Sequence, residues 1–258
     1  MELIEAIILG VVQGVVDPMP VSSSGHLVLA QELLGIDQRL TLSIFLHFGN
    51  LLAIIAVFWR DIVEIFKFDK NSDYLDFTKY IIVGIIPAGA IGFVFKAFFE
   101  GVFQQTLVFG IMLIVTGVLL WLSDRVKQSG KEMGEMNYLD AIIIGLAQAS
   151  ALFPGLSRSG TTITAGLFKG LDRKLAVRYS FLMSIPIVLG ATGLEAIDVL
   201  QHGTGDVTML QIIVGTLAAL VSGYIAIKLL LKLVESKNLS FFAYYCWIVG
   251  VLVIINFI

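Results

Sequence analysis

Charged residues are scarce in this sequence of 258 residues, which is 57% hydrophobic and only 14% charged. With a mean hydropathy of +0.92, the composition excludes an ordinary soluble domain and is typical of a protein with several membrane-spanning helices. Lysine and arginine form no dense run and the net charge is −3, so we expect no nucleic-acid partner. No lysine or arginine precedes the first apolar run, which argues against a cleaved signal peptide.

Cysteine and histidine are also rare. The single cysteine, Cys246, excludes an intramolecular disulfide, and we expect it to be a small buried side chain. The three histidines, His26, His47 and His202, are too far apart in the sequence to have the spacing of zinc ligands. The sequence therefore predicts neither a disulfide-stabilised fold nor a zinc site.

What the sequence does contain, close to its start, is a polar stretch inside an apolar region. Residues 13–26, QGVVDPMPVSSSGH, hold one acid, two prolines, three serines and a histidine. The flanking apolar segments, Leu3–Val16 and Val21–Leu34, reach only about 20 Å as helices, whereas a bilayer core is ~30 Å thick. We therefore predict a re-entrant hairpin of two half-helices with Asp17–Ser24 at its tip. Irregular backbone at that depth is tolerated only inside protein or along a wet cavity, so the tip should be a functional site.

The polar stretch has a second copy. Glu5–Gly35 and Asp140–Gly170 align without gaps at an offset of 135 and share ten identities in 31 positions, where about two are expected from composition. The identical pairs include Gly10/Gly145, Gln13/Gln148, Ser22/Ser157, Ser24/Ser159, Gly25/Gly160 and Gly35/Gly170. We conclude that the chain is a tandem duplication, with repeats at about 3–123 and 138–258 inside a single integral membrane domain, 1–258.

Each repeat continues with three longer apolar segments. In the first repeat they are Leu40–Trp59, Tyr80–Phe98 and Leu107–Leu122, with a charged loop at Arg60–Lys79 and a short turn at Glu100–Gln105. The matching segments of the second repeat are Tyr138–Ala149 and Ser159–Gly170 for the short pair, then Tyr179–Val199, Leu210–Leu231 and Ser240–Ile258. Three crossings per repeat give the two repeats opposite orientations, as in transporter-like folds. The predicted fold class is an all-α polytopic membrane protein with two inverted-topology repeats, each a re-entrant helix hairpin plus three transmembrane helices.

The distribution of lysine and arginine predicts the orientation of this topology. If each hairpin returns to the side from which it enters, one face receives thirteen of these residues and the other only Arg39 and Lys96. The thirteen are Arg60, Lys67, Lys70, Lys79, Arg125, Lys127, Lys131, Arg173, Lys174, Arg178, Lys228, Lys232 and Lys237. The positive-inside rule then places the protein in the plasma membrane with both termini outside. The first hairpin enters from outside and the second from the cytoplasm, so their tips should meet near the middle of the membrane.

The two tips have the chemistry of an anion site. Ser22–Gly25 and Ser157–Gly160 each end a loop and open a half-helix, so their hydroxyls and backbone N–H groups lie at a partly positive helix end. Arg158 adds a planar cation suited to bidentate phosphate binding. A charge at the bilayer centre costs about 2.5–3.5 kcal/mol, which favours a functional arginine over one that only caps carbonyl groups.

Gln13, Asp17 and Gln148 lie at the opposite, partly negative ends of the first half-helices, where a cation is better placed than an anion. Asp17 is a candidate ligand of Mg²⁺ or Ca²⁺, with Gln13 beside it. It is also a candidate general base, or a carboxylate satisfied by loop N–H groups or by Arg158. The two glutamines alternatively bridge the halves by hydrogen bonds.

His26 lies one turn into the second half-helix, where it can protonate a leaving oxygen, activate a serine or itself attack phosphorus. We interpret His26 as functional rather than packed. His47 and Asn50, one turn apart inside a span, are interpreted as structural residues that line a cavity or bridge helices, and His202 as an outer-loop residue without a role. Small residues at helical spacing are interpreted as close-packing positions that would also suit a homodimer interface: Gly84, Ala88, Gly89, Gly92, Gly110 and Gly117.

The motifs QGVVDPMPVSSSGH and PGLSRSGTT resemble the two signature motifs of the bacitracin-resistance type undecaprenyl-diphosphatases, integral membrane enzymes of lipid-carrier recycling. The resemblance covers essentially the whole chain. The first family pattern, with Glu or Gln, three residues, Glu, a serine-rich stretch and a histidine, corresponds to Gln13, Asp17, Ser22, Ser23 and His26. The second pattern, PGxSRSxxT, corresponds to Pro154, Gly155, Ser157, Arg158, Ser159 and Thr162. Asp17 departs from the family, because it is a shorter carboxylate where the family has Glu.

This resemblance implies hydrolysis of a C55 polyprenyl diphosphate to the monophosphate and inorganic phosphate, on the outer side of the membrane. The catalytic residues would be Asp17, Ser23, His26 and Arg158. The substrate diphosphate would be held by Ser22, Ser24, Gly25, Ser157, Ser159, Gly160 and Thr162. Ser23 or His26 would attack phosphorus, and direct attack by water is equally compatible with the sequence. A divalent cation on Asp17 would neutralise the bridging and leaving oxygens.

A flippase for polyprenyl phosphates is the alternative function, because an inverted repeat with paired hairpins and the same anion site would bind the lipid without hydrolysing it. The other membrane lipid-phosphatase superfamily is excluded. No Lys-x6-Arg-Pro motif precedes SSSGH, and no histidine follows Ser157-Arg158 at the short spacing which that superfamily requires.

Overall fold

The structure, a computed structural model, describes residues 1–36, 40–69, 72–95, 98, 106–126, 129–204, 207–236 and 239–255. In these residues all regular structure is helical apart from one isolated bridge between Lys131 and Leu171. The prediction of an all-α protein is therefore confirmed. The helices are α1 (Leu3–Val16), α2 (Ser23–Leu33), α3 (Leu40–Val57), α4 (Trp59–Lys67), α5 (Asp73–Val94), α6 (Thr106–Ser123), α7 (Tyr138–Ser150), α8 (Arg158–Phe168), α9 (Arg173–His202), α10 (Met209–Glu235) and α11 (Leu239–Ile255).

Several of these helices are suited to a bilayer. By length and composition, α5, α9 and α10 are able to cross a membrane, and a fourth span results if the bent pair α3–α4 is counted as one. Shorter apolar helices include α1, α6, α7 and α11. Large apolar side chains such as Ile86, Leu217 and Ile225 are more than half exposed, as expected for surfaces that face lipid rather than water. The protein is therefore a membrane protein.

The four short helices lie where the sequence predicts them, with 14, 11, 13 and 11 residues in α1, α2, α7 and α8. Their ends are set by equivalent residues of the two repeats. Helices α1 and α7 each start with a capping box, formed by Glu5 in α1 and by Asp140 in α7. Helices α2 and α8 are each followed by a glycine with positive φ, Gly35 at +65° and Gly170 at +82°, which is the usual conformation after a helix C-terminus.

One predicted loop is wrong. The segment Arg60–Lys79 contains helix α4, and α5 already begins at Asp73. The sequence of α4, WRDIVEIFK, places Trp59, Val63 and Phe66 at helical spacing, and all three are exposed. Its charged residues led to the prediction of a loop. The amphipathic pattern is instead typical of a helix at a membrane surface. The predicted turn at 100–105 lies outside the described residues, as do Arg39, Lys70, Lys96, Lys127 and Lys237.

The contacts within the chain define two compact units, and each unit contains segments of both repeats. The first consists of Met1–Met19, Ser23–Val57 and Ser184–Leu230. The second consists of Pro20–Ser22, Phe58–Met183 and Leu231–Ile258. The first unit has an apolar core formed by Leu9, Leu27, Leu42, Leu46, Val207, Ile212 and Ala219.

Glycines at equivalent positions of the repeats bring helices together in both units. In the first unit, a Cβ on Gly10 would lie 2.3 Å from the carbonyl oxygen of Gly215. In the second unit, a Cβ on Gly145 would lie 2.4 Å from the carbonyl oxygen of Gly84. Gly110 and Gly117 also lie against α11, whereas a Cβ on Gly89 would meet nothing within 4 Å. The close-packing interpretation therefore holds for Gly84, Gly110 and Gly117, and Gly89 lies in open space.

Candidate functional site

The first tip begins where α1 ends. Asp17 is the C-cap residue of α1, and its N–H donates to the carbonyl oxygen of Gln13 at 3.0 Å. Pro18 follows directly, which disfavours continuation of the helix through Asp17. Ser22 has a left-handed backbone, with φ +67°, and α2 starts at the next residue. Left-handed backbone in a residue other than glycine is uncommon and is concentrated at functional sites.

Asp17 and Ser23 are brought together across this tip. The hydroxyl of Ser23 donates to Oδ1 of Asp17 at 2.8 Å, although six residues separate them in the chain. The side chain of Asp17 is only 10% exposed, so the contact forms in a largely desolvated place. Ser24, Gly25 and His26 continue the first turn of α2 and are half-buried. A carboxylate is thus placed to accept the proton of a serine hydroxyl at a helix N-terminus.

Helix α3 contributes two polar residues to the same end of α1. Nε2 of His47 lies 3.7 Å from Oδ1 of Asp17, and Nδ2 of Asn50 donates to the carbonyl oxygen of Gln13 at 2.9 Å. Asn50 therefore bridges two helices, as predicted. The contact of His47 with Asp17 was missed by the sequence interpretation. The sequence signal that could have predicted this contact is the pair His47 and Asn50, one turn apart on a largely apolar helix.

The two repeat-related glutamines are buried. Gln13 has no exposed surface and Gln148 is 4% exposed. Among the described residues neither side-chain amide has a hydrogen-bond partner. Their predicted role as bridges between the halves is therefore not seen in this part of the chain. Buried amides of this kind usually bind water or another ligand.

The second tip is held by helix α6. Gly155 has φ +91°, and a Cβ there would lie 2.3 Å from the carbonyl oxygen of Phe109, so only glycine fits this position. The backbone N–H of Ser157 donates to Oγ1 of Thr116 at 3.1 Å, and that hydroxyl lies 3.0 Å from the carbonyl oxygen of Met112 and 3.2 Å from that of Gly155. Thr116 therefore provides hydrogen-bond partners for backbone groups of a buried loop. Its position in an apolar span gave no indication of this role.

Ser157 is the N-cap of α8, and its Oγ accepts the N–H of Gly160 at 3.1 Å. The N–H groups of Ser157 and Gly160, which the sequence assigned to substrate, thus have acceptors inside the protein. Arg158 is the first residue of α8 and is half-buried, and Ser159 is 1% exposed. Arg158 and the Ser159 hydroxyl therefore form the cationic and polar start of a largely buried helix.

Thr162, also predicted to bind the diphosphate, points into a buried hydroxyl pair. Its Oγ1 lies 2.5 Å from Oγ of Ser180 on α9 and donates to the carbonyl oxygen of Arg158 at 2.8 Å. Both Thr162 and Ser180 are almost completely buried. In this arrangement Thr162 fixes the first turn of α8 and, with it, the backbone of Arg158. Ser180 was not found from the sequence, because nothing in its spacing connects it with the tip.

Part of the first tip packs against the second. Pro20–Ser22 belong to the second unit, where a Cβ on Gly160 would lie 3.3 Å from Cβ of Pro20. The thiol of Cys246 donates to the carbonyl oxygen of Pro20 at 3.8 Å, and Cys246 is fully buried as predicted. Pro20 of the first repeat thus lies beside the start of α8 within the second unit.

The first tip supplies too few ligands to hold a divalent cation alone, so such an ion fits there only if the substrate also coordinates it. Among the described residues no group of three histidine, cysteine or acidic side chains is able to hold a metal. Asp17 offers one carboxylate and Gln13 one buried amide oxygen. Mg²⁺ commonly binds through one or two carboxylates plus substrate phosphates, so these two residues suit an ion that arrives with a phosphorylated ligand.

Comparison with known proteins decides the family. The family model described as bacitracin resistance protein BacA matches residues 6–252 of this chain. The chain belongs to the BacA family. A protein of Halothermothrix orenii named undecaprenyl-diphosphatase is 49% identical over 256 residues, covering 99% of this chain and 98% of that protein. BacA-type relatives of the same name from Alkaliphilus metalliredigens and Methanobrevibacter smithii are each 43% identical over 271 residues, covering 99% and 98% of this chain and 98% and 97% of their own lengths.

Proposed function

We propose that this protein is an undecaprenyl-diphosphatase, which hydrolyses undecaprenyl diphosphate to undecaprenyl phosphate and inorganic phosphate. Family membership and near-complete coverage of relatives with that name support the activity. The observation that carries the proposal is the start of α8, where Arg158 and the buried Ser159 hydroxyl occupy the N-terminus of a largely buried helix. A guanidinium at a helix N-terminus is suited to a phosphate group.

The two tips supply different parts of the chemistry. Arg158, with the hydroxyls of Ser22, Ser24 and Ser159, binds the diphosphate and stabilises the charge that develops in the transition state. Ser157, Gly160 and Thr162 hold the turn that presents Arg158, since their own polar groups are bonded within the protein. Gly25 completes the first turn of α2. The packing of Pro20 beside Gly160 within the second unit supports the placement of Ser22 in the same site as Arg158.

The reaction transfers the terminal phosphoryl group. A nucleophile attacks the terminal phosphorus, the bond from that phosphorus to the bridging oxygen breaks, and undecaprenyl phosphate leaves. The hydrogen bond from Ser23 to Asp17 favours the Ser23 hydroxyl as attacker, with Asp17 accepting its proton. His26 then protonates the leaving oxygen, and water hydrolyses the phosphoserine to release inorganic phosphate. Attack by His26 or directly by water gives the same products and remains an alternative.

A divalent cation, Mg²⁺ or Ca²⁺, would be held by Asp17 and Gln13 together with phosphate oxygens of the substrate. When bound, it would neutralise charge on the bridging and leaving oxygens. Asp17 and Gln13 would in that case hold the ion at the C-terminal end of α1, where the partial charge of the helix is negative.

The membrane topology predicted from the sequence is part of the same proposal. We propose inverted repeats with both termini outside, so that the site opens to the outer leaflet, where the carrier is recycled for envelope synthesis and bacitracin resistance results. Equivalent close approaches, Gly10 to Gly215 and Gly145 to Gly84, support the duplication. Arg60, Lys174 and Arg178, all assigned to the cytoplasmic side, line one cavity of about 420 Å³, which supports their placement on the same face.

The test is release of inorganic phosphate from undecaprenyl diphosphate by the purified protein in detergent. Wild type should turn over, and Arg158→Ala and His26→Ala should each lose at least about 100-fold in kcat/KM, the range typical of charge-stabilising and acid–base groups. Arg125→Ala is the matched control, because Arg125 stacks on Trp121 on the exposed side of α6. A flippase would release no phosphate with any of these proteins, and that result would refute the proposal.

A further inference from the structure

A cavity of about 420 Å³ lies at the start of α4 and is open to the surface. Side chains of α4, α5, α9 and α10 line it, and all of them belong to the second unit. A volume of this size is in the range of small-ligand sites, roughly 300–1,000 Å³. None of the described lining residues is assigned to the phosphatase site, so the cavity is a separate feature of the molecule.

Among the described residues, three cationic and two acidic side chains line the cavity. One opposite pair is compensated within the wall, where Arg178 pairs with Asp61 and also donates to the hydroxyl of Tyr74. That hydroxyl donates in turn to Oδ1 of Asp61 at 2.9 Å. The three side chains join α4, α5 and α9. They therefore fix the shape of the cavity, while the charge of Arg178 is offset by that of Asp61.

The other side of the cavity carries an excess of positive charge. Nζ of Lys174 lies 3.3 Å from Oε1 of Glu235, but these side chains are 65% and 45% exposed, so the pair is weak. Arg60 is exposed and forms no ion pair with the part of the chain that the structure describes. The cavity thus favours an anion, with Arg60 and Lys174 as the side chains available to it.

Helix α4 places this cavity at the depth of lipid headgroups. Trp59, Val63 and Phe66 lie on one face of α4 and are all exposed, which is the pattern of a helix that lies in the membrane interface. Tryptophan is concentrated at that depth, and Trp59 directly precedes Arg60. The apolar side chains of Phe58 and Leu231 also line the cavity, so one part of it suits the glycerol and upper acyl carbons of a lipid.

We propose that this cavity binds the phosphodiester headgroup of an anionic phospholipid. Arg60 and Lys174 contact the phosphate, and Phe58 and Leu231 pack against the glycerol backbone. Basic pockets between membrane helices recognise anionic headgroups in this way. The site is independent of the phosphatase activity, because its ligand is a structural lipid of the bilayer and neither cation belongs to the candidate active site.

The test is lipid binding to the purified, delipidated protein in detergent, measured by native mass spectrometry. Wild type should bind phosphatidylglycerol at least about fivefold more tightly than phosphatidylcholine with the same acyl chains. Arg60→Ala and Lys174→Ala should each weaken phosphatidylglycerol binding by about fivefold, the effect of one basic residue near an anionic membrane surface. The double variant should lose the preference for the anionic lipid.

Lys67→Ala is the matched control, because Lys67 is an exposed lysine of the same helix that pairs with Glu64 and does not line the cavity. An equal loss in Lys67→Ala, or an unchanged preference in the double variant, would overturn the proposal and leave only diffuse attraction to surface charge. Displacement of phosphatidylglycerol by millimolar inorganic phosphate would also overturn it, since the ligand would then be a free anion. Thermal unfolding and wild-type phosphate release by Arg60→Ala and Lys174→Ala would show that these variants are folded.

Discussion

Nζ of Lys131 lies 3.2 Å from Oδ2 of Asp140, a carboxylate with no exposed surface. Lys169 approaches the other oxygen, Oδ1, at 3.6 Å, and the backbone N–H of Asn137 donates to Oδ2 at 3.2 Å. One buried carboxylate thus joins the linker between the repeats, the start of α7 and the end of α8. Since α7 and α8 flank the second tip, Asp140 helps to position Arg158.

Replacement of Asp140 by asparagine should therefore destabilise the protein. The change leaves both lysines without their carboxylate, and because their side chains are 29% and 26% exposed, we expect a loss of about 1–3 kcal/mol rather than the larger cost of a fully buried charge. The measurement is thermal unfolding in detergent. Glu32→Gln is the control, because Glu32 is exposed. Equal unfolding temperatures for Asp140→Asn and Glu32→Gln would contradict this role.

The glycine contacts make a second prediction about stability. Gly10→Ala and Gly145→Ala each place a methyl group against a backbone carbonyl at less than 2.5 Å, so the helices must separate, at a cost of about 1–3 kcal/mol. Gly89→Ala adds the same methyl group in open space and should be neutral or slightly stabilising, because alanine favours helix. The measurement is the thermal unfolding temperature of each of the three variants. Destabilisation by Gly89→Ala of the same size would show that helix packing is not the cause.

The sequence predicted the short helices because each repeat carries its own boundary signals. Asp140 and Glu5 open helices, and Gly35 and Gly170 end them, all through contacts within a few residues. The contact of His47 with Asp17 and that of Ser180 with Thr162 join segments 30 and 18 residues apart. Periodicity and spacing describe one segment at a time. They therefore located the tips but did not show which distant side chains hold them.

The proposed orientation predicts a pattern of chemical labelling. In a Cys246→Ala background, a cysteine at Lys67 or Lys174 should react with a membrane-impermeant maleimide only after the cells are opened, whereas a cysteine at Glu2 should react in intact cells. Lys67 and Lys174 are more than half exposed, so access is limited by the membrane rather than by the protein. Labelling of Lys67→Cys in intact cells would reverse the orientation and place the site on the inner leaflet.

Arginine at position 158 should not be replaceable by lysine. Lysine keeps the charge but loses the planar fork that grips two phosphate oxygens at once. We expect Arg158→Lys to raise KM and to lower kcat, with a kcat/KM between those of wild type and Arg158→Ala and at least about tenfold below wild type. Arg125→Lys provides the matched control. Wild-type kinetics for Arg158→Lys would show that position 158 supplies charge alone.

Metal dependence provides the sharpest test of Asp17. If Asp17 holds a divalent cation with the substrate, EDTA should abolish phosphate release, and added Mg²⁺ or Ca²⁺ should restore it. Asp17→Asn keeps the size of the side chain but loses the charge, so it should lower kcat and raise the Mg²⁺ concentration needed for half-maximal activity. Asp17→Asn also weakens acceptance of the Ser23 proton, which lowers kcat at every Mg²⁺ concentration. A wild type that is fully active in EDTA, together with an inactive Asp17→Asn, would separate these two roles and leave Asp17 as a base alone.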